Sequence, residues 1–303
     1  MTPRDTTTVP PTSAFPDTAA ALGAAPETTA GEYVFDPVWD QETERLRTNE
    51  AIWDPGTFER FERLGVAPGW SCLEVGAGYG SAALRLAELA QPAFGVAPER
   101  LAGRRGPVGR VVAADLETER LAWLADHGVE VWRHDLRADD LPEGAFDLIH
   151  ARMVIQHLPD REAAVARLIS ALAPGGVLFL EDTDSLPLFR SVVSEDFLAD
   201  IKASGYGLMR QAGHEPRGGH FDLAMLLDSD LTDVSAEGRV VMMQGGSDQA
   251  RHYMLWLEYM RPKIVEAGLL GHDRIDQALA EMADPAHRWL SQVMISVTGR
   301  RPR

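Results

Sequence analysis

A glycine-rich turn at residues 73–80 is the stretch of the sequence best suited to binding chemistry. It reads LEVGAGYG, directly after an apolar run and directly before an amphipathic one. Glycines at such a strand-to-helix turn let the backbone approach a ligand, because no Cβ intervenes. A dinucleotide fingerprint would require a third glycine at position 81, which is Ser81 here. Glu74 adds a carboxylate that repels a pyrophosphate and attracts an ammonium group, so the turn suits a cationic amino-acid tail.

Two aspartates follow the next predicted strands. Asp115 ends the second strand, where a carboxylate can accept hydrogen bonds from both hydroxyls of a ribose. Asp135 follows the third strand, within reach of an adenine amino group. Alone, an aspartate in such a loop is equally compatible with a turn or a helix cap. As a set at successive strand ends, Glu74, Asp115 and Asp135 predict one binding site.

Three residues near the end of the fourth predicted strand are candidates for catalysis. His150 and His157 are the nearest candidates for a general base, since an imidazole exchanges protons near neutral pH. Either histidine can equally be structural, and His157 fits a cap of the turn before Pro159. Arg152 either orients an anionic or carbonyl substrate or pairs with an acid such as Asp160.

Short apolar runs alternate with amphipathic segments through the middle of the chain. The pattern predicts strands at Ser71–Val75, Arg110–Ala114, Val129–Arg133, Phe146–Ala151 and Val177–Leu180. It predicts helices at Ser81–Ala90, Glu117–His127 and Arg161–Leu172. Strands separated by helices imply right-handed crossovers and a doubly wound α/β fold with a mostly parallel sheet.

The flanking segments extend this sheet. We expect a disordered leader at residues 1–30, because its Thr, Pro and Ala bury too little surface to offset ordering entropy. N-terminal helices follow at 31–68, with Asp54-Pro55 as a helix start. The remaining divisions are a binding core at 69–184, a helical cap at 185–232, and closing strands and helices at 233–303. Strands Val234–Gln244 and Val293–Thr298, separated by the helix Asp248–Ala267, bring the sheet to seven strands.

Composition excludes several classes of partner. The formal net charge of −17 repels phosphate backbones and anionic lipid, so we expect neither a nucleic-acid nor a membrane partner. The single Cys72 cannot form an internal disulfide and reads as buried filler in a strand. No Cys/His spacing typical of a metal site and no export signal is present, which favours a cytoplasmic protein without a bound metal. We expect a monomer or a homodimer.

Five motifs in fixed order resemble those of the class I S-adenosylmethionine-dependent methyltransferases. They are CLEVGAGYGSAALRLAE, GRVVAADLE, VEVWRHDL, FDLIHARMVIQHLPD and ALAPGGVLFLED, and together they cover about residues 70–182. Within that class the chain resembles small-molecule methyltransferases of actinobacterial natural-product pathways. The resemblance implies a Rossmann-like fold and S-adenosylmethionine as cofactor, with S-adenosylhomocysteine as product and no metal.

The resemblance also implies roles for individual residues. The cofactor would contact Glu74, Gly76, Ala77, Gly78, Gly80, Asp115, Leu116, Asp135, Leu136 and Ala151. The glycine turn would wrap the methionine part, with Glu74 supporting its ammonium group. Asp115 would hold the ribose, and Asp135 with Leu136 would frame the adenine. The 41 residues between Glu74 and Asp115 exceed the family's usual gap, and the segment Gln91–Arg105, predicted as a surface loop, accounts for the excess.

Substrate contacts are expected from the N-terminal helices and the cap. Tyr33, Phe35 and Trp39 are candidates to close over the cofactor, and the candidates for the other wall are Asp184, Tyr206, His214 and His220. Aromatic walls suit a flat apolar acceptor, with a few polar groups for orientation. Trp39 is equally explained as ordinary core. The predicted function is methyl transfer to oxygen, nitrogen or ring carbon of a small aromatic or heterocyclic acceptor, such as an indole. The alternatives are a peptide or protein carboxylate methyltransferase and a cofactor-binding regulator without catalysis.

Overall fold

The computed structural model describes residues 35–36, 38–91 and 109–303. The predicted leader at 1–30, the candidate Tyr33 and most of the segment Gln91–Arg105 lie outside these ranges. The described α-helices are α1 (Glu42–Arg63), α2 (Ser81–Ala90), α3 (Arg161–Ala171), α4 (Ala199–Gln211), α5 (Gly218–Leu227), α6 (Asp248–Glu266) and α7 (His272–Ala283). The described strands are β1 (Cys72–Val75), β2 (Val111–Asp115), β3 (Val129–Arg133), β4 (Phe146–Arg152), β5 (Leu172–Asp184), β6 (Thr232–Arg239), β7 (Met242–Gln244), β8 (Arg288–Leu290) and β9 (Val293–Arg300). Two 3-10 helices, Glu119–His127 and Ile155–His157, complete the description.

A seven-stranded sheet has the order β3-β2-β1-β4-β5-β9-β6. Strands β1 to β5 pair in parallel, whereas β9 runs antiparallel to both β5 and β6. The order reverses at β1, which has β2 on one side and β4 on the other. The carboxyl ends of strands at such a reversal are where doubly wound sheets bind ligands. The predicted seven-stranded, mostly parallel sheet is confirmed.

Successive residues of the central strands pack on opposite faces of the sheet, as strand geometry requires. In β1, Cys72 lies in the buried cluster that includes α2, whereas Leu73 lies in the cluster that includes α3. Both side chains are fully buried. Because helices cover both faces, β1 is buried along its whole length, including Glu74, and does not alternate between buried and exposed residues.

A third buried cluster lies beyond the sheet and joins α1, α4, α6 and α7. It contains Trp53 of α1, Tyr206 of α4 and Trp256 of α6. Helix α5 packs on the sheet instead, where Leu226 joins the cluster of Val297. The segment predicted as a helical cap therefore supplies one helix to this third cluster and one to the sheet.

The predicted helix start at Asp54-Pro55 is wrong. Helix α1 begins at Glu42 and continues through Pro55 to Arg63. Asp54 therefore lies inside α1 and does not cap a helix. Its carboxylate forms an ion pair with Arg152 at 2.8 Å.

Two other boundaries also differ from the prediction. The expected strand Val234–Gln244 is divided into β6 and β7, which pair with different strands. At the division the Val241 amide donates to Ser291 Oγ at 2.9 Å, so the backbone leaves the ladder of β9. The segment after β2 forms a 3-10 helix from Glu119 because the Glu117 amide first donates to Asp115 Oδ1 at 3.0 Å.

Candidate active site

A cavity of about 340 Å³ lies at the carboxyl ends of β1, β2 and β4. Its volume falls in the range of small-molecule sites, roughly 300–1,000 Å³. The glycine turn, the end of β2 and the segment after β3 line one part, and α1, α4 and α6 line another. Of the predicted cofactor contacts, it brings together Glu74, Gly76, Ala77, Gly78, Asp115, Leu116, Asp135 and Leu136.

The glycine turn adopts backbone conformations that favour glycine. Gly76, Gly78 and Gly80 have φ values of +64°, +61° and +106°, in the left-handed region. A Cβ at Gly76 would lie 2.4 Å from Val154 Cγ2, so the close approach excludes any larger residue. Gly80 serves the packing of the turn, since a Cβ there would meet Leu124 Cδ1 at 2.9 Å.

Asp115 ties this turn to the end of β2. Its Oδ2 accepts the Gly78 amide at 2.9 Å and its Oδ1 accepts the Glu117 amide at 3.0 Å. Burial raises the pKa of Asp115, while these two backbone hydrogen bonds oppose the rise. The carboxylate is therefore held at the mouth of the turn by the backbone itself.

The segment after β3 forms the adjoining wall. Arg137 clasps the Asp135 carboxylate at 2.8 Å and lowers the pKa of that carboxyl group. Leu136 is buried beside it. His134 was not predicted, yet it lines the cavity and is 8% exposed. Within the described part of the chain His134 Nε2 has no hydrogen-bond partner, and its position next to Asp135 was the available sequence signal.

His150 lies beneath the glycine turn and does not itself line the cavity. It is fully buried, with Nδ1 2.6 Å from Glu74 Oε2 and Nε2 3.3 Å from Glu181 Oε2. These two carboxylates overcome the effect of burial and raise the pKa of His150 to about 9. An imidazole that is protonated at neutral pH cannot take a proton from a substrate. His150 does not line the cavity, which favours the structural interpretation of this residue, and Ala151 lies beside it in β4 without lining the cavity either.

Arg152 does line the cavity, but its partners differ from those considered for it. Its guanidinium donates to Asp54 Oδ1 at 2.8 Å and to Thr57 Oγ1 at 3.0 Å. Asp160, the acid suggested by the sequence, is not among these partners. Arg152 thus fastens α1 to the end of β4 at the edge of the cavity.

The part of the cavity formed by α1, α4 and α6 has aromatic walls. Its ring-bearing side chains are Phe35, His157, Tyr206, His214, His252, Tyr253 and Trp256. The rings of His157 and His214 lie 5.0 Å apart. Burial lowers the pKa of His157 well below its usual value and that of His214 to about 4, so both imidazoles are neutral at pH 7.

The two tyrosines of this wall share one amide. Gln292 Nε2 donates to the Tyr206 hydroxyl at 2.6 Å, and the Tyr253 hydroxyl donates to Gln292 Oε1 at 3.1 Å. Burial raises the pKa of both phenols. Because the hydroxyls stay protonated, this wall carries no phenolate charge.

Two predicted substrate residues lie elsewhere. Asp184 and His220 pair with each other at 2.9 Å, and neither lines the cavity. The His220 side chain is 57% exposed. Trp39 is partly buried, does not line the cavity, and packs edge-on against Tyr259 with ring centroids 5.0 Å apart. Tyr206 and Phe35 are the predicted aromatic residues that do reach the cavity.

Among the residues that the structure describes, no group of three or more His, Cys, Asp or Glu side chains is arranged to hold a metal ion. Over those ranges no helix is both long and apolar enough to cross a bilayer.

The chain is similar to known methyltransferases. A family model described as a methyltransferase domain matches residues 41–263. Methyltransferase str3 of Strobilurus tenacellus is 32% identical over 100 residues, covering 32% of this chain and 35% of its own. Phosphoethanolamine N-methyltransferase 3 of Arabidopsis thaliana is 28% identical over 189 residues, covering 60% and 33%. This chain therefore spans about a third of the length of these curated relatives.

A solved structure shares the fold. Phosphoethanolamine N-methyltransferase 2 of Haemonchus contortus, in complex with phosphomonomethylethanolamine and S-adenosylhomocysteine, superposes with a TM-score of 0.51 at 17% identity. The superposition covers 87% of this chain and 58% of that one. Since the family model matches well over half of the sequence, the chain belongs to the methyltransferase-domain family.

Proposed function

We propose that this protein transfers a methyl group from S-adenosylmethionine to a small, uncharged aromatic or heterocyclic acceptor. The observation that carries the acceptor class is the aromatic, charge-compensated wall formed by α1, α4 and α6. Flat apolar ligands bind to such walls through their faces, with a few polar groups for orientation.

The chemistry of the other wall fits the cofactor. The carboxylates of Glu74, Asp115 and Asp135 line it, and they match an ammonium group, ribose hydroxyls and an adenine amino group. Gly76 and Gly78 let the backbone lie against the ligand without a Cβ. When bound, S-adenosylmethionine supplies a methyl group on a positively charged sulfur.

We call the wall formed by α1, α4 and α6 the acceptor wall. Two arginines that line the cavity support an uncharged acceptor, because both are already paired with carboxylates. Arg45 makes a two-pronged ion pair with Glu42 at 2.7 Å, and both residues are at most 5% exposed. Arg152 is paired with Asp54. An acceptor with a phosphate, such as the one named for the Arabidopsis relative, would have to break a buried pair and leave a carboxylate uncompensated, which is costly. The same argument disfavours a peptide carboxylate.

His157 is the residue proposed to receive a proton. Methyl transfer to a hydroxyl or ring N–H releases a proton, and a neutral imidazole in the wall is able to accept it. His157 and His214 both line the cavity in that neutral form. Natural-product biosynthesis, a cytoplasmic location and a monomeric or homodimeric state stay predictions from the sequence.

The test is transfer of a labelled methyl group from S-adenosylmethionine to three sets of acceptors. The sets are neutral phenols and indoles, phosphoethanolamine, and peptides with free carboxylates. We expect label in the neutral aromatic set with the native protein, and far less with Asp115→Ala at a cofactor concentration that does not saturate the variant. Label confined to phosphoethanolamine or to peptides would overturn the proposed acceptor class. Cofactor binding without transfer to any set would favour the non-catalytic regulator.

A further inference from the structure

We propose that His150 positions the Glu74 carboxylate for the ammonium group of S-adenosylmethionine, and that Glu181 holds His150 in place. His150 is then a positioning residue for cofactor recognition and not a proton acceptor. The inference rests on the proposed binding of S-adenosylmethionine at the glycine turn.

The backbone register brings the three residues together. Glu74 of β1 lies beside His150 of β4, and β5 pairs with β4 on the other side. Nδ1 of His150 is 2.6 Å from Glu74 Oε2, and Nε2 is 3.3 Å from Glu181 Oε2. Of the three, Glu74 alone lines the cavity. A ligand that contacts Glu74 from the cavity would therefore meet a carboxylate that is held from behind by His150, which is in turn held by Glu181.

The charges of the three groups alternate, with one imidazolium between two carboxylates. Two carboxylates face one imidazole, so the pKa of His150 rises to about 9 and that of Glu181 falls to about 2. At neutral pH the ring is an imidazolium and donates from both nitrogens. Charge-assisted hydrogen bonds are the stronger kind, and two of them fix the orientation of the ring.

Glu181 is itself anchored from three other elements. Its carboxylate accepts a hydrogen bond from Thr57 Oγ1 of α1. It accepts another from Ser296 Oγ of β9 at 2.6 Å, and Arg239 Nη2 of β6 lies 3.5 Å away. It is fully buried. A carboxylate held on so many sides has little freedom to move, so it keeps His150 against Glu74.

Aromatic contacts restrict the imidazolium further. Phe61 meets the His150 ring edge-on with centroids 5.0 Å apart, and Phe179 lies 4.7 Å away. Close packing of this kind restricts the motion of a buried ring. Nothing in this arrangement serves methyl transfer directly, since a charged, enclosed ring neither reaches an acceptor nor accepts a proton.

The test compares two ligands that differ only in the amino-acid tail. S-adenosylhomocysteine carries the ammonium group, whereas 5′-methylthioadenosine keeps the adenosine and the thioether but lacks the tail. Calorimetric titration of native protein, His150→Gln and Glu74→Gln with each ligand measures the part of affinity that the tail supplies. We expect both variants to weaken S-adenosylhomocysteine binding about tenfold or more, the loss typical of one hydrogen bond to a charged group. Binding of 5′-methylthioadenosine should stay within about twofold on the same reasoning.

Two further results decide the inference. In the double variant the losses should not add, because both substitutions interrupt one interaction. Equal weakening of both ligands by His150→Gln, or no weakening of either, would overturn the positioning role. If His150→Gln does not fold, Glu181→Gln provides the same comparison, with a selective loss of tail affinity expected. Failure of the folded native protein to bind either ligand would instead reject the proposed cofactor site itself.

Discussion

Asp115 both stabilises the glycine turn and lines the cavity. Its two oxygens accept the amides of Gly78 and Glu117, at 2.9 and 3.0 Å, and so hold the glycine turn against β2. The same carboxylate lines the cavity, where a ribose would meet it. Loss of the side chain therefore removes ligand contacts and loosens the turn that makes the remaining ones.

We expect Asp115→Ala to weaken S-adenosylmethionine binding by about 100-fold, the loss of two hydrogen bonds to a charged group. Calorimetric titration measures it. Asp140→Ala is the matched control, since Asp140 is exposed and does not line the cavity. Native-like affinity in Asp115→Ala would show that the cofactor does not use this end of β2.

His157 is the corresponding residue on the acceptor side. We expect His157→Gln to lower kcat/KM for a hydroxyl or N–H acceptor by roughly 10²-fold or more, the usual contribution of a general base. The KM for S-adenosylmethionine should be unchanged. His272→Gln, at an exposed position at the start of α7, is the control. An unchanged kcat/KM in His157→Gln would remove the residue from the proposed chemistry.

At the scale of elements, the acceptor wall depends on how closely α4 approaches α6. Gly205 of α4 faces Trp256 of α6, and a Cβ at Gly205 would lie 2.4 Å from the indole ring. Because Trp256 lines the cavity, the spacing of these two helices also sets the shape of the acceptor wall. Gly207, two residues further along α4, has nothing within 4 Å of an added Cβ.

These two glycines predict opposite effects of the same substitution. Gly205→Ala should destabilise the fold by about 1–3 kcal/mol through overpacking, and should weaken acceptor binding more than cofactor binding. Gly207→Ala should stabilise it by about 0.5–1 kcal/mol, since alanine is the better helix former. Denaturant unfolding of both variants checks the pair. Equal effects would show that the α4–α6 contact does not limit packing.

At the scale of the whole molecule, the buried charges link stability to pH. The pKa of His150 is raised from 6.5 to about 9 in the folded protein. Its contribution to stability is therefore complete below pH 6.5 and is lost as the pH rises to about 9. Lys202 contributes in the opposite direction above about pH 8, because burial lowers its pKa to about 8. The contribution of His150 is thus best measured by difference between variants.

We expect the Tm of the native protein to fall more steeply between pH 6.5 and 9 than that of His150→Gln. The difference in unfolding free energy across that window should be on the order of 2 kcal/mol. The variant should also be less stable at pH 7, because two buried carboxylates lose their cation. Parallel pH profiles for the two proteins would mean that His150 is not protonated in the fold.

Sequence patterns predicted the sheet, most of the proposed cofactor contacts and part of the aromatic wall, where Phe35, Tyr206 and His214 line the cavity. Glu74, Asp115 and Asp135 could be placed because each follows or precedes a local turn at a strand end. Helix α7 was missed, and the boundary between β6 and β7 was missed as well. The buried residues of α7, Ile275, Ala278 and Met282, are three and four positions apart, so a local helical pattern was present there. The boundary between β6 and β7 depends on pairing with distant segments, such as Val241 with Ser291, and local periodicity contains no record of such partners.

What the sequence determined by itself was the order of strands and helices, the glycine turn and the three acids around it. These follow from short apolar runs separated by amphipathic segments, from glycine's freedom at positive φ and from the fixed edge at which parallel strands end. The tertiary structure alone decided the fate of the two histidines. His150 and His157 are close in sequence, yet Glu74 and Glu181 enclose and charge the first, while burial beside His214 keeps the second neutral at the cavity. Their chemistry is set by charges that arrive from other strands and helices, and only the folded chain brings those charges together.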